Sequence, residues 1–220
     1  MRDAYHDEMD AITDQLVAMT RLVGHAMSVA TDALLSSDLA AAESVIDADA
    51  AIDALRENVE RRTVDLIARQ QPVARDLRAL TTGLRTAADL ERSGDLAAHV
   101  AKLARRRFPG CAVPPELQAT IRQMGDVAAV VVDKAGDVIV SRDASRAHEL
   151  EADDDIMDEL HKELLLAMLA PDWKYGVDTA IDLALAGRYY ERYADHAVSV
   201  ARQVVYLVTG TTAVRGALQG

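Results

Sequence analysis

Apolar residues recur every three or four positions from residue 2 to about residue 35, at Met9, Ile12, Leu16, Met19, Val23, Met27, Ala30 and Leu34. That spacing keeps them on one helical face and predicts a single long amphipathic helix. The run should stop near Ser36-Ser37-Asp38, where the Asp38 carboxylate can cap a second helix. From there Ala42, Val45, Ile52, Leu55, Val59 and Leu66 continue the period to Gln70-Gln71-Pro72. Proline pushes the residue before it out of the helical region, so the second helix ends there. Leu77, Leu80, Leu84, Ala87, Glu91, Gly94 and Ala98 form the seam of a third helix reaching the cations Lys102, Arg105, Arg106 and Arg107. Those cations face the negative end of their own helix or form a docking patch for an acidic partner.

Three prolines and a glycine in Phe108-Pro-Gly-Cys-Ala-Val-Pro-Pro115 then break the pattern, and a second pass begins. Leu117, Ile121, Met124, Ala128, Val131, Ala135 and Ile139 predict a fourth helix. Asp143 should cap a fifth, which ends by Pro171, and Trp173 to about Val208 supplies a sixth. The two passes are copies. At an offset of 105, Met19 matches Met124, Asp38 matches Asp143, Asp49 matches Asp154 and Asp53 matches Asp158; around Glu91 and Glu191 the offset is 100. Repeats of this size are duplicated domains rather than solenoid units. The expected architecture is all-α, with a three-helix bundle over residues 1–108, a linker at 109–115, a second bundle over 116–209 and a frayed tail at 210–220. An aromatic content of 4% argues against sheets in the same direction.

Charge narrows the partners. The net −12 divides into −4 for residues 1–109 and −8 for residues 110–220, a field that repels nucleic acid and attracts cations and basic protein surfaces. Cys111 is the single cysteine and cannot form an intramolecular disulfide. The N-terminal residues lack the apolar stretch of a signal peptide, and the most apolar segment, Val127 to Val140, is interrupted by Asp133, Lys134 and Asp137. A cytoplasmic protein without direct membrane insertion is expected.

The duplication preserves acidic pairs at i and i+4: Asp49 and Asp53 with Glu91 and Asp95, then Asp154 and Asp158 with Glu191 and Asp195. Like charges one turn apart repel unless something compensates them. One such pair alone reads as solvated surface, with Arg92 or Arg192 beside the Glu as an ordinary ion-pair partner. Retention in both copies favours two four-carboxylate clusters, whose oxygen donors suit Mg, Mn, Fe or Zn. His99, His196 and His161 lie nearby but occupy no equivalent positions, and read as surface or satisfied histidines. A ferritin-like di-metal carboxylate enzyme would need two Glu-x-x-His motifs, and Asp158-Glu-Leu-His161 is the nearest approach. No phosphate loop or nucleophile motif is present, which leaves a metal-free helical scaffold as the remaining alternative.

Gln70-Gln-Pro-Val-Ala-Arg-Asp-Leu-Arg78, Asp89-Leu-Glu-Arg-Ser-Gly-Asp95 and Tyr190-Glu-Arg-Tyr-Ala-Asp-His-Ala197 resemble the PhoU family of phosphate-uptake regulators, and the resemblance extends over about residues 5–209. It implies a cytoplasmic, non-enzymatic all-α protein, commonly a homodimer, that represses the phosphate-starvation response. It also implies two partners, the ATPase of the phosphate ABC transporter and the phosphate-sensing histidine kinase, which would hold the protein at the inner membrane. The family's metal signature falls on Asp49, Asp53, Glu91, Asp95, Asp154, Asp158, Glu191 and Asp195. The first repeat departs from the pattern, with Leu96 where a family histidine is common, so that Asp95-Leu96-Ala97, followed by Ala98 and His99, stands in place of the Asp195-His196-Ala197 of the second.

Overall fold

The computed structural model describes residues 2–211 of the chain, with side chains from residue 5 onward. Six α-helices account for nearly all of it: α1 (Arg2–Ser36), α2 (Leu39–Gln70), α3 (Ala74–Arg107), α4 (Gln118–Ser141), α5 (Ala147–Met168) and α6 (Gly176–Thr209). The expected cap is present, the Asp38 side chain accepting from the Ala41 N–H at 3.0 Å. Asp143 caps a short 3-10 turn, Ala144–Arg146, that leads into α5 rather than capping α5 itself.

Two boundaries differ from expectation. The sixth helix begins at Gly176, not Trp173, because the side chains of Trp173, Lys174 and Tyr175 are held in the turn that precedes it. The Trp173 indole donates to the Gly176 carbonyl at 2.9 Å, the Tyr175 hydroxyl donates to Glu116, and Lys174 pairs with Glu116 at 2.9 Å. Gly176 then opens the helix at φ 80°, a conformation that glycine adopts without strain. The third-helix seam starts at Leu80, since residues 73–77 are all exposed, Leu77 among them. Of the 210–220 tail, residues 212–220 lie outside the described residues.

Helices α1, α2 and α3 pack together, as do α4, α5 and α6; across the duplication α1 packs on α4 and α3 on α6. One continuous apolar cluster runs through both bundles. The proline-rich connection is part of it, with Ala112, Val113 and Pro114 buried and the Cys111 thiol set against the Leu34 and Leu35 carbonyls at the end of α1.

The α1–α4 contact is unusually close. A Cβ at Gly125 would stand 2.6 Å from Thr31 Cγ2, and one at Gly136 would stand 2.8 Å from Thr20 Oγ1. Under the 105-residue offset Thr20 corresponds to Gly125 and Thr31 to Gly136, so the two contacts are related by the pseudo-twofold of the duplication. In both, the threonine comes from α1 and the glycine from α4. Thr31 also shares a buried hydrogen bond of 2.8 Å with the Tyr190 hydroxyl of α6.

The α3–α6 seam is polar. Asp89 accepts from His196 Nδ1 at 2.9 Å, Ser199 Oγ at 2.8 Å and Gln203 Nε2 at 2.6 Å, while Thr86 donates to Gln203 at 2.9 Å. At the related position Tyr189 lies against the His99 ring, with centroids 5.2 Å apart. Farther along, Arg106 and Arg107 both bind the buried carboxylate of Asp182. Two of the four clustered cations are therefore tied down by α6.

Gly125→Ala should lower stability by about 1–3 kcal/mol in urea unfolding, despite alanine's better helix propensity, because the added methyl meets three atoms of Thr31. The loss should shrink in a Thr31→Ala background, where most of the obstruction is gone. Asp89→Ala should cost roughly 2–4 kcal/mol, since it strands three half-buried donors at once.

Candidate metal centre

The acidic pairs lie on facing helices in both repeats. Gly94 of α3 is the point of closest approach in the first: a Cβ there would be 2.8 Å from Ile52 Cδ1 and 3.3 Å from Asp49 Oδ1 of α2. The antiparallel register set by that contact puts Asp49 across from Asp95 and Asp53 across from Glu91. In the second repeat Gly187 of α6 plays the same part, facing His161 and Leu164 of α5. Carried one and two turns farther along the pair, that register brings Asp158 level with Glu191 and Asp154 level with Asp195. The facing arrangement inferred from spacing is thus the arrangement of the helices.

The eight carboxylates differ in burial. Asp154 is 4% exposed. Asp49, Glu91, Glu191 and Asp195 are half-buried, and Asp53, Asp95 and Asp158 are exposed. Within the first cluster the groups feel one another. Burial raises the Asp49 carboxyl above its ordinary range; the charges of Asp95 and Asp53 raise it further, Lys102 opposes, and Glu91 adds a smaller push in the same direction. An oxygen-rich, mutually repulsive group of this kind suits a hard divalent cation, whose charge would relieve the repulsion. The side chains are not preset as a coordination shell: among the described residues no three His, Cys, Asp or Glu side chains already converge tightly enough to hold an ion.

Arginine stands where a cation would. Arg56 of α2 reaches Glu91 across the helix pair at 4.0 Å, and Arg188 binds Glu191 from one turn earlier on α6. These are not the partners suggested by adjacency, because Arg92 and Arg192 are exposed on the outer faces. In type and charge the donors suit a metal; Asp49, Asp53, Glu91 and Asp95 would be the ligands in one repeat and Asp154, Asp158, Glu191 and Asp195 in the other. Loading would require each glutamate to exchange its guanidinium for the ion.

The histidines are engaged otherwise. His99 Nδ1 donates to the Asp95 carbonyl of its own helix at 2.7 Å, His196 is taken by Asp89, and the His161 ring packs on Gly187. Sequence reasoning missed Asp89 and Asp182. Both are acids on helix faces with no repeated counterpart, Tyr189 and Thr82 standing at the matching positions. The only available signal was an acidic residue at an apolar-face position.

A family model for the PhoU domain matches the chain twice, at residues 16–104 and 121–204. The chain is 43% identical over 210 residues to the phosphate-specific transport system accessory protein PhoU homolog 2 of Mycobacterium tuberculosis, covering 96% of this chain and 99% of that one. It is 43% identical over 211 residues to PhoU homolog 1 of Mycobacterium leprae, covering 96% and 95% respectively. Among solved structures, PhoU from Pseudomonas aeruginosa superposes with a TM-score of 0.85 at 30% identity, covering 94% of this chain and all of that one. A phosphate transport regulatory protein PhoU from Streptococcus pneumoniae shares the fold, with a TM-score of 0.86 at 24% identity over 96% of this chain and 99% of that one.

The raised Asp49 carboxyl has a defined sign. The folded state keeps that proton to higher pH than the unfolded chain does, so stability declines as pH rises from the ordinary carboxylate range through the raised value. At neutral pH the ionised group is a net cost. Asp49→Asn should therefore raise the melting temperature at neutral pH in the presence of chelator, followed by circular dichroism, and leave it unchanged in acid below the ordinary carboxylate range. A lower melting temperature at neutral pH would mean that the ionised group gives more than it costs.

Proposed function

The chain belongs to the PhoU family, and we propose that it is a cytoplasmic, non-enzymatic negative regulator of phosphate uptake and of the phosphate-starvation response. In this reading it binds the ATPase subunit of the phosphate ABC transporter and the phosphate-sensing histidine kinase, and it carries metal at the two carboxylate clusters. The observation that carries the proposal is the double match to the PhoU domain across almost the whole chain, together with full-length relatives named as accessory proteins of the phosphate-specific transport system.

Three further features support it. None of the described helices is long and apolar enough to cross a membrane, so attachment to the inner membrane is through the partners. The net charge of −12 suits basic protein surfaces and disfavours nucleic acid. The histidines that a redox di-metal centre would enlist are bound to Asp89 and to the Asp95 carbonyl or packed on Gly187, which favours a structural or signalling metal over a ferritin-like catalytic one. The resemblance also implies a homodimer as the working form.

Purified full-length protein should retain the transporter ATPase or the cytoplasmic part of the kinase in a pull-down; if neither binds, with or without divalent metal, the regulatory reading fails. Metal loading has its own readout. Mn, Fe, Zn or Mg should raise the melting temperature of the wild type in proportion to the logarithm of free metal concentration. The rise should be reduced in Glu91→Gln and in Glu191→Gln and abolished when both are changed. An equal rise in the double variant would remove the clusters as the metal sites.

A further inference from the structure

Single exposed apolar side chains are ordinary on a protein surface, whereas contiguous ones mark contact sites. Leu165, Leu166 and Leu169 at the end of α5 are 37%, 59% and 79% exposed, and Val177, Ile181 and Leu185 at the start of α6 are 73%, 52% and 37% exposed. The three on α6 are spaced by four residues and share a stripe. The register set by Gly187 against His161 and Leu164 extends to place Leu165 and Leu166 beside Leu185, and Leu169 beside Ile181. Five of the six therefore lie level across the α5–α6 hairpin and Val177 continues the α6 stripe past the end of α5, so that the exposed apolar positions gather as a ridge at this one end. A recess of about 350 Å³ adjoins it, lined by Ile181, Asp178, Asp182 and the two arginines that bind Asp182.

The fold does not require this ridge. The first repeat builds the same hairpin from α2 and α3, where the positions matching Leu165, Leu166, Ile181 and Leu185 are Glu60, Arg61, Thr81 and Arg85. Only Val64 and Leu77 keep apolar character there. Apolar residues at this end of the second repeat are therefore an addition to a scaffold that folds with polar ones.

The charges around the ridge select what can cover it. Lys162 with Glu159, Arg188 with Glu191 and Lys174 with Glu116 balance in pairs, while Arg106 and Arg107 share the single carboxylate of Asp182 and leave one positive charge against the acids that remain. Glu163, Asp172 and Asp178 are exposed and have no ion-pair partner among the described residues. The unbalanced charge at the rim is therefore negative. A second copy seated isologously would bring like carboxylates together, and an anionic lipid surface would be repelled.

We propose that the α5–α6 ridge, with its acidic rim, is a docking surface for an amphipathic helix of a partner protein whose apolar stripe is flanked by lysine or arginine. Leu169, Val177 and Ile181 would supply the apolar contact, with the recess beside Ile181 accepting a side chain of that helix; Glu163 and Asp178 would fix its orientation. The inference stands apart from the phosphate-transport reading, because it concerns the chemistry of the surface and holds whichever protein supplies the helix.

The test uses the full chain and a fluorescent model peptide of leucine and lysine in an amphipathic helical pattern, followed by anisotropy. Saturable one-to-one binding is expected, weakened about tenfold or more in Leu169→Asp/Ile181→Asp and several-fold in Glu163→Gln/Asp178→Asn. Val64→Asp/Val140→Asp, which changes exposed apolar residues elsewhere, should bind as the wild type does. All these positions are exposed, and circular dichroism checks that each variant is folded. Undiminished binding to Leu169→Asp/Ile181→Asp would overturn the proposal, as would equal binding of a leucine–glutamate peptide. So would wild-type self-association in sedimentation that Leu169→Asp/Ile181→Asp abolishes, since a second copy would then be the occupant.

Discussion

Helices α1 and α4 can share a core because Gly125 and Gly136 leave open the spaces into which Thr31 and Thr20 project. A methyl group at either glycine would push the two bundles apart, and the polar seam on the opposite side, with its hydrogen-bonding distances, tolerates little displacement. The buried connection Ala112-Val113-Pro114 depends on the same approach, since it packs at the end of α1 before the chain surfaces at Pro115 and Glu116 and turns into α4. The repeats are thus two in sequence and one in packing. Their faces are specified by a 3.6-residue period, but their association is specified by a few small side chains.

That distinction explains what the sequence could and could not disclose. Helix limits set by local chemistry, such as the Asp38 cap and the stop before Pro72, are legible because cause and effect lie within a few residues. The start of α6 is not, because Lys174 and Tyr175 are drawn out of the helix by Glu116, more than fifty residues away. The carboxylate pairs were visible as a repeated spacing, and the spacing implied facing helices. Their arginine partners were less legible: Arg92 and Arg192 are neighbours in sequence but point outward, Arg56 reaches Glu91 from another helix, and only Arg188, three residues before Glu191, stands at a spacing the sequence displays. Asp89 and Asp182 act between repeats, and a pattern repeated within each copy carries no information about contacts made between copies.

The two carboxylate clusters are alike in composition and unlike in circumstance. In the first, Glu91 is reached from across the helix pair; in the second, Glu191 is bound from its own helix, and Asp154 beside it is buried. Exchanging guanidinium for a metal ion is therefore a different transaction at each. Because α3 and α6 carry glutamates of both clusters and also form the seam between the repeats, a change in side-chain position at one cluster is made on a helix that the other cluster's helix touches.

The seam also determines which bundle can pair with which. Asp89 finds His196, Ser199 and Gln203 only on the second repeat; at the corresponding positions the first repeat has Leu96, His99 and Leu103. Two first repeats brought together would set each Asp89 against Leu96 and Leu103, with His99 as the one remaining donor in place of three. Two second repeats would align Tyr189 with Ser199 and leave His196 without its acid. Duplication makes two halves of the same fold, and like-folded halves from different chains invite exchange during synthesis. By differing at these four seam positions the halves become complementary instead of interchangeable, and the first bundle off the ribosome is left unsatisfied until its own chain delivers the second.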